Sequence, residues 1–233
     1  MKNEKYDFQD LVEIIEKLRA PGGCPWDREQ THESIKKNLI EEGYELIEAL
    51  ESGDGAKMAD ESGDLLLQIV FHANIGKEAG KYDILDVTDA VCRKMIHRHP
   101  HVFGDVKADT SEEVLRNWDA IKRDDREQKT IAEDLAGISS SLPSLMRTEK
   151  VQKKAEKNGY LFGNPEDAAD GVARMLKAIA NGADSKTAEM YIGKVLFDVV
   201  SAARAVGVEP ELALSKETDG FIEEFAKFEQ ERK

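Results

Sequence analysis

The amino-acid sequence predicts an all-α protein, a helical bundle arranged as two tandem repeats. Apolar residues recur at helical spacing from the start of the chain, in Phe8, Leu11, Val12, Ile15 and Leu18. Residues 65–71 are apolar on nearly every side, which is typical of a helix in the centre of a bundle or at an oligomer interface. The segment Gly193–Val200 matches Gly63–Val70 in pattern, so the second half is predicted to repeat the first.

Turn and capping signals divide the first half into helices. The first helix is predicted to end at Pro21, and Thr31 is predicted to cap the second. A turn at Ser52–Gly55 separates the second helix from the third. Five helices are predicted in this half, over residues 6–19, 32–51, 56–78, 84–98 and 111–126.

A polar, loosely patterned segment follows. Residues 127–140 are predicted as a linker between a domain of residues 1–126 and a domain of residues 141–233. In the alignment of the two halves, Lys194 takes the place of Asp64 and Tyr191 that of Glu61. The second domain is therefore expected to keep the apolar framework without metal ligands, as a packing or dimerisation element.

Two pairs of carboxylates mark the candidate site. Glu42 and Glu45 lie three apart in one predicted helix, and Glu61 and Asp64 lie three apart in the next. Residues three apart share a helix face, and the turn between the helices should bring the four carboxylates together. Both pairs share their face with apolar residues. The sequence therefore predicts a partly buried seam in which the acids repel one another and lose hydration.

Such a seam needs a compensating positive charge. Oxygen ligands without Cys or His favour a hard cation, Mg²⁺ or Mn²⁺, over zinc. The alternative is a solvated acidic face, which is common in a chain this rich in acid. A di-iron site is disfavoured because Glu-x-x-His partners are absent, and an EF-hand because its loop spacing is absent.

Further side chains around the acids suit a phosphorylated ligand. Asn38 and Lys57 each lie one turn before a carboxylate pair and are candidates for phosphate contact; an ion pair between Lys57 and Glu61 is the alternative. Lys94 and Arg98 place two cations on one face of a helix. Trp26, in a Pro- and Gly-rich loop, is a candidate lid or base-stacking platform, or alternatively an apolar anchor for that loop.

Histidines are predicted to have other roles than metal binding. His72 shares the face of Glu61 and is predicted to be a core histidine with its hydrogen bonds satisfied. His97, His99 and His101 fall close together. The intervening Pro100 and the oxygen-rich site elsewhere favour a structural or phosphate-facing role for them.

Composition excludes several classes of protein. The formal net charge of -14 argues against non-specific binding to nucleic acid or to a membrane surface. The first residues are charged, no apolar run approaches the length of a bilayer span, and Cys24 and Cys92 form no close-spaced ligand pair. A cytoplasmic protein is the expectation.

The motifs together resemble the MazG family of nucleoside triphosphate pyrophosphohydrolases. The matching pieces are the segments Gly23–Asp27 and Gln30–His32, the two carboxylate pairs, Arg98–Phe103, and Asn117 with Trp118. The second half also resembles this family's second domain. In some members the C-terminal domain is the active one. Here its acids are missing, so activity is expected in residues 1–126.

The resemblance implies a bundle of the all-α NTP pyrophosphatase type, a homodimer, and Mg²⁺-dependent hydrolysis of NTP or dNTP to a monophosphate and pyrophosphate. By similarity, the four acids would be metal ligands. The positions that look like nucleotide contacts are Asn38, Lys57, Lys94, Arg98 and Trp118.

The hypothesis for the reaction is attack by water on the α-phosphorus. Glu41 or Glu45 would take the proton, and the sequence does not choose between them. Trp118 or Trp26 would stack on the base. Two alternatives stay open: a narrower house-cleaning or phosphoribosyl-ATP pyrophosphohydrolase, and a non-catalytic helical dimer that senses nucleotide.

Overall fold

The protein is entirely helical wherever its structure is described. The computed structural model describes residues 5–125, 130–162 and 165–232, and within these ranges it contains helices, turns and no strand. The all-α prediction is confirmed. The chain divides into two compact units, Met1–Trp118 and Asp119–Lys233. No helix among the described residues is both long enough and apolar enough to cross a membrane.

The first unit is organised around an antiparallel pair of helices. Its elements are α1 (Phe8–Arg19), α2 (Pro25–Glu29), α3 (His32–Ile35), α4 (Asn38–Ser52), α5 (Gly55–Glu78), α6 (Ile84–Arg98), α7 (Pro100–Phe103) and α8 (Ser111–Asp124), the last of which continues into the second unit. Helices α4 and α5 pack as a hairpin, and α1 and α6 pack on α5. The core lies between α1, α3 and α5 and contains Val12, Ile15, Ile35, Val70 and Phe71.

Local sequence explains how the hairpin closes. Gly53 ends α4 with φ of +70°, a left-handed conformation that favours glycine. Asp54 then caps α5, because its side chain accepts hydrogen bonds from the backbone N–H groups of Ala56 and Lys57. This tight turn places the first turns of α5 beside the last turns of α4.

The helix predicted over residues 32–51 is in fact two. Thr31 caps α3 as predicted, with its hydroxyl accepting from Ser34 N at 3.2 Å. The chain then turns at Lys36 and Lys37 before α4 begins. The short α3 buries Ile35 against the core. Lys36 and Lys37, between α3 and α4, both keep right-handed helical backbone angles. The predictions over residues 56–78 and 84–98 are confirmed by α5 and α6.

A buried arginine, which no local sequence pattern indicates, anchors the short helix α2 that carries Trp26. The Arg19 side chain is 4% exposed and forms a two-pronged ion pair with Glu78, at 2.9 Å and 2.7 Å. Its remaining nitrogen donates to the carbonyls of Asp27 and Gln30. The guanidinium also lies 5.1 Å from the centre of the Phe71 ring. These contacts tie α2 to α1 and α5.

The second unit repeats the hairpin arrangement. Its further elements are α9 (Ile131–Ala136), α10 (Ser144–Lys157), α11 (Pro165–Ala180), α12 (Ser185–Ala205) and α13 (Pro210–Glu231). Helices α11 and α12 pack together, and α10 packs on α12. Gly182 has φ of +78° and Asp184 caps α12, as Gly53 and Asp54 do for the first hairpin. These matched turns support the predicted repeat.

The segment predicted as a linker contains a helix. Arg126 and residues 127–129 lie outside the described residues, but residues 131–136 form α9. Asp134 on α9 is 2% exposed and forms an ion pair with Lys154 of α10. That pair binds α9 to the second unit, whose limit falls at Asp119. The assignment of a catalytic and a degenerate domain stays a prediction.

Candidate functional site

Three of the predicted carboxylates meet on the first hairpin. Glu42 and Glu45 project from α4 and Glu61 from α5, and one oxygen of each lies within 4.8 Å of the others. The three-residue spacing puts the first two on one face of α4, and the Gly53 turn brings α5 alongside. Among the residues that the structure describes, this is the only group of its kind.

The carboxylates of this group repel one another. Burial raises the pKa of Glu42, and the negative charges of Asp64, Glu45 and Glu61 raise it further. Burial also raises the pKa of Glu61, as do the neighbouring charges of Glu45, Asp60, Asp64 and Glu48. No Lys or Arg is among the groups that shift either pKa. Within the described part of the chain, the carboxylates are therefore a concentrated negative charge whose pKa values no cationic side chain lowers.

The predicted burial of this seam is wrong in part. Glu42 and Glu61 are half-buried, whereas Glu45 and Asp64 are exposed. The core of the unit lies on the side of α5 that contacts α1 and α3, so the acidic face of the hairpin stays open. Asp64 lies outside the group of three but close enough to raise the pKa of both half-buried acids. Glu48 and Asp60 were missed as members of this negative cluster.

The geometry fits a hard divalent cation. Mg²⁺ binds oxygen at about 2.0–2.1 Å, so opposite ligands stand roughly 4.2 Å apart. The oxygens of Glu42, Glu45 and Glu61 lie within 4.8 Å of one another, and small side-chain rotations would bring them to coordination distance. Carboxylate oxygens without nitrogen or sulfur suit Mg²⁺ or Mn²⁺.

Two of the predicted cations, Lys57 and Lys94, form no ion pair with these acids among the residues that the structure describes. Lys57 is exposed, and the alternative ion pair with Glu61 is not formed among the described residues. Lys94 is also exposed and forms no ion pair with a described residue. Glu41 is exposed at the start of α4 and stands outside the group of three carboxylates. These side chains remain available to a ligand.

An apolar cavity lies beside the hairpin. Its volume is about 150 Å³, and Trp26 and Asn38 contribute to its lining together with Ile15, Leu18, Asp27, Ile35, Leu67, Gln68 and Phe71. Trp26 was predicted to lie in a loop but lies in the helix α2. It is 60% exposed, so it is not a buried anchor for this segment; the segment is anchored by Arg19. Gln68, which sequence reasoning missed, is 7% exposed and brings a second carboxamide to the cavity.

The remaining predicted nucleotide contacts form an aromatic group. The Arg98 guanidinium lies 5.6 Å from the Trp118 ring centre, and His99 meets the same ring edge-on at 4.9 Å. His99 Nδ1 donates to the Met95 carbonyl at 2.7 Å. The ring of His99 therefore has a structural role, as predicted for this run of histidines.

His72 was predicted to be a core histidine with its hydrogen bonds satisfied, and the structure differs from this prediction. The Nδ1 atoms of His72 and His32 are 2.8 Å apart, and the two rings stack. The Nε2 atom of His72 is buried and has no hydrogen-bond partner among the described residues. Burial and the neighbouring His32 lower the pKa of His72. His72 is thus only partly satisfied in its hydrogen bonds.

The second hairpin lacks a comparable site. Lys194, at the position that corresponds to Asp64, forms an ion pair with Asp198 on its own helix. In the described part of the second unit there is no group of three carboxylate, thiolate or imidazole ligands within reach of one ion.

Comparison with known proteins places the chain in a family. The family described as the MazG nucleotide pyrophosphohydrolase domain matches residues 30–103, which include all the clustered carboxylates. The chain is 40% identical over 230 residues to the nucleoside triphosphate pyrophosphohydrolase/pyrophosphatase MazG of Thermotoga maritima, covering 99% of this chain and 88% of that protein. It is 37% identical over 226 residues to the nucleoside triphosphate pyrophosphohydrolase of Escherichia coli K12, covering 94% of this chain and 86% of that protein.

The chain is therefore a member of the MazG family. A solved structure of a mazG-related protein from Thermotoga maritima is also similar, with 30% identity and a TM-score of 0.43, covering 49% of this chain and 98% of that one. The resemblance stated from the sequence motifs is confirmed by the sequence comparisons.

Proposed function

We propose that this protein hydrolyses nucleoside triphosphates, NTP or dNTP, to the monophosphate and pyrophosphate at the α4–α5 hairpin. The observation that carries the proposal is the group formed by Glu42, Glu45 and Glu61, within 4.8 Å of one another. The family match covers this hairpin, and two relatives that are similar over most of their length carry this activity in their names.

Glu42, Glu45 and Glu61, with Asp64 beside them, would hold Mg²⁺, with Mn²⁺ as the alternative. Bound there, the ion would supply polarisation of a phosphate oxygen and a lowered pKa of bound water. The raised pKa values of Glu42 and Glu61 support this assignment, because a cation would relieve the repulsion that raises them.

Other residues of the chain act on the triphosphate and on the proton. The negative phosphates are bound and neutralised by cationic side chains, which attract a polyanion. These are Lys57, Lys94 and Arg98. Glu41 or Glu45 accepts the proton of the attacking water. Glu41 suits this role because it stands outside the group of three and has no described partner.

The cavity beside the hairpin takes the nucleobase. Trp26 stands at its exposed side and offers a ring face for stacking. Asn38 and Gln68 present carboxamides that donate to and accept from a base edge. Trp118, stacked beneath Arg98, is the second candidate platform.

A homodimer is part of this proposal. Leu66 and Ile69 are exposed on α5, 41% and 39% respectively, within the segment whose all-round apolar character predicts an interface. A second copy covering this face would bury them.

Release of pyrophosphate tests the proposal. The purified chain is assayed against a panel of ribo- and deoxynucleoside triphosphates, modified bases and phosphoribosyl-ATP, with and without Mg²⁺. We expect pyrophosphate only with Mg²⁺, and we expect label from ¹⁸O-water in the monophosphate, because attack is on the α-phosphorus.

The same panel decides between the open alternatives. Turnover of one modified nucleotide, or of phosphoribosyl-ATP alone, would establish the narrower enzyme. Tight nucleotide binding without pyrophosphate release would instead establish the non-catalytic sensor and refute hydrolysis.

A further inference from the structure

The cavity beside the hairpin contains a carboxamide that has no partner within the described chain. Gln68 is 7% exposed and lines the cavity from α5. Its side-chain nitrogen and oxygen form no hydrogen bond with a described residue, yet neither atom is closed off from water. A largely buried amide without partners is costly, so a polar ligand that enters the cavity and pairs with both groups is favoured.

A second carboxamide, that of Asn38, stands at the same end of the hairpin. Asn38 lies one turn before Glu42 on α4. Gln68 lies one turn after Asp64 on α5. Because the two helices run antiparallel, both carboxamides are displaced from the acids in the same direction, away from the Gly53 turn. One turn of four residues is about 6 Å along a helix axis, so the carboxamides begin one helical turn from the acids that are proposed to act on the α-phosphate.

The lining of this cavity suits a flat neutral ring better than a phosphate. Its residues are aliphatic or aromatic except for Asn38, Gln68 and Asp27. The carboxylate of Asp27 would repel a phosphate group. Trp26 and Phe71 supply aromatic surface that packs on a planar ring. The base end of a nucleotide, and not its triphosphate, therefore fits here.

The volume of the cavity limits the size of the base. It is about 150 Å³. In another protein, an apolar cavity of about this volume holds one benzene molecule, a single six-membered ring. A pyrimidine base is also a single six-membered ring, whereas a purine has a further ring fused to it. A purine therefore does not fit inside the cavity unless the lining side chains move.

We infer that this cavity selects pyrimidine nucleoside triphosphates, and that Gln68 is the residue that reads the base. The inference rests on the proposed hydrolysis and narrows its substrate class. A carboxamide presents an acceptor and N–H donors side by side. It pairs with N3 and the N4 amino group of cytosine or, with the amide turned over, with N3–H and O4 of uracil or thymine. Purines offer comparable edges, so volume and not hydrogen bonding excludes them.

The selectivity of pyrophosphate release tests the inference. The ratio kcat/KM is measured with Mg²⁺ for CTP, UTP, ATP and GTP, and calorimetry measures the binding of uncleavable α,β-imido analogues of CTP and ATP. We expect the pyrimidines to exceed the purines about ten-fold or more in kcat/KM, and the CTP analogue to bind more tightly. Equal or higher values for the purines would overturn the inference and leave the proposed hydrolysis standing. No turnover of any triphosphate would refute the hydrolysis, and the two binding constants would then decide the base preference alone.

Variants assign the selectivity to the cavity. Gln68→Leu keeps the approximate size of the side chain but loses both hydrogen bonds, so it should lower kcat/KM for CTP about ten-fold, mainly through KM. Leu18 lies at the edge of the cavity and is 36% exposed, so Leu18→Ala should enlarge the cavity and raise kcat/KM for ATP relative to CTP. Ile14→Ala, also on α1 but outside the lining, is the matched control and should keep the selectivity of the unaltered chain. If Leu18→Ala changed the ATP-to-CTP ratio no more than Ile14→Ala does, the assignment would be overturned, whether or not Gln68→Leu folds.

Discussion

Replacement of Arg19 by Met should destabilise the first unit more than any surface charge change. Arg19 is almost completely buried and bonds Glu78 through two nitrogens, while its third donates to the carbonyls of Asp27 and Gln30. Removing one partner of a buried ion pair costs about 3–5 kcal/mol. Glu78 is 45% exposed and can rehydrate, so we expect a loss near the lower limit, about 3 kcal/mol.

Unfolding of the first unit can be followed by tryptophan fluorescence. The two tryptophans, Trp26 and Trp118, both lie in the first unit, so tryptophan fluorescence in a urea titration reports the unfolding of that unit. Trp26 lies on the very helix that Arg19 anchors. A loss of about 3 kcal/mol corresponds to a midpoint shift of roughly 1–3 M urea, for a slope of about 1–3 kcal/mol per M.

A matched control separates burial from charge. Lys77 pairs with Glu16 at 2.6 Å, but the two side chains are 54% and 39% exposed. Exposed pairs contribute about 0–1 kcal/mol, so Lys77→Met should shift the midpoint only slightly. If Arg19→Met lost no more stability than Lys77→Met, the description of Arg19 as the anchor of α2 would be refuted.

Three further predictions concern the candidate site. Glu42→Gln should abolish Mg²⁺-dependent pyrophosphate release, because the carboxylate charge is lost. Circular dichroism should show unchanged helix content, because the packing is kept. A fully active variant would contradict the metal assignment. Because the pKa of Glu42 is raised in the folded protein, its protonated carboxyl stabilises the fold when no cation is bound. This contribution is present below the ordinary pKa of 4.5 and is lost as pH rises through the raised pKa. Mg²⁺ should therefore raise the melting temperature more at about pH 8 than at about pH 5, and an equal shift at both would argue against proton competition. Trp26→Ala should raise KM for nucleotides with little change in kcat, because stacking contributes to binding in the ground and transition states alike; an unchanged KM would remove Trp26 from the base site.

Features set by neighbouring residues could be predicted from the sequence. The bounds of α6 agree with the predicted 84–98. In the structure Asp83 caps this helix by accepting from the N–H groups of Leu85 and Asp86, which is a local interaction. The meeting of Glu42, Glu45 and Glu61 could also be predicted. It needs only the three-residue spacing on a helix and a tight turn at Gly53.

Features set by distant partners could not be predicted. Arg19 is buried because Glu78, 59 residues away, and the loop carbonyls surround it, and no local pattern encodes that meeting. The exposure of Glu45 and Asp64 depends on which face of the hairpin the core occupies. The helix at residues 131–136 was missed although Thr130 and Glu133 form a capping box at its start, which is a local signal. Only its ion pair, from Asp134 to Lys154 on another helix, depends on a distant partner.

The most direct test of the proposed site is a crystal structure with Mg²⁺ and a nucleotide analogue that resists cleavage between the α- and β-phosphates. We predict one Mg²⁺ with carboxylate oxygens of Glu42, Glu45 and Glu61 among its ligands, at about 2.1 Å, and the α-phosphate beside it. An ion bound elsewhere, with these three carboxylates turned into solvent while the analogue is bound, would contradict it.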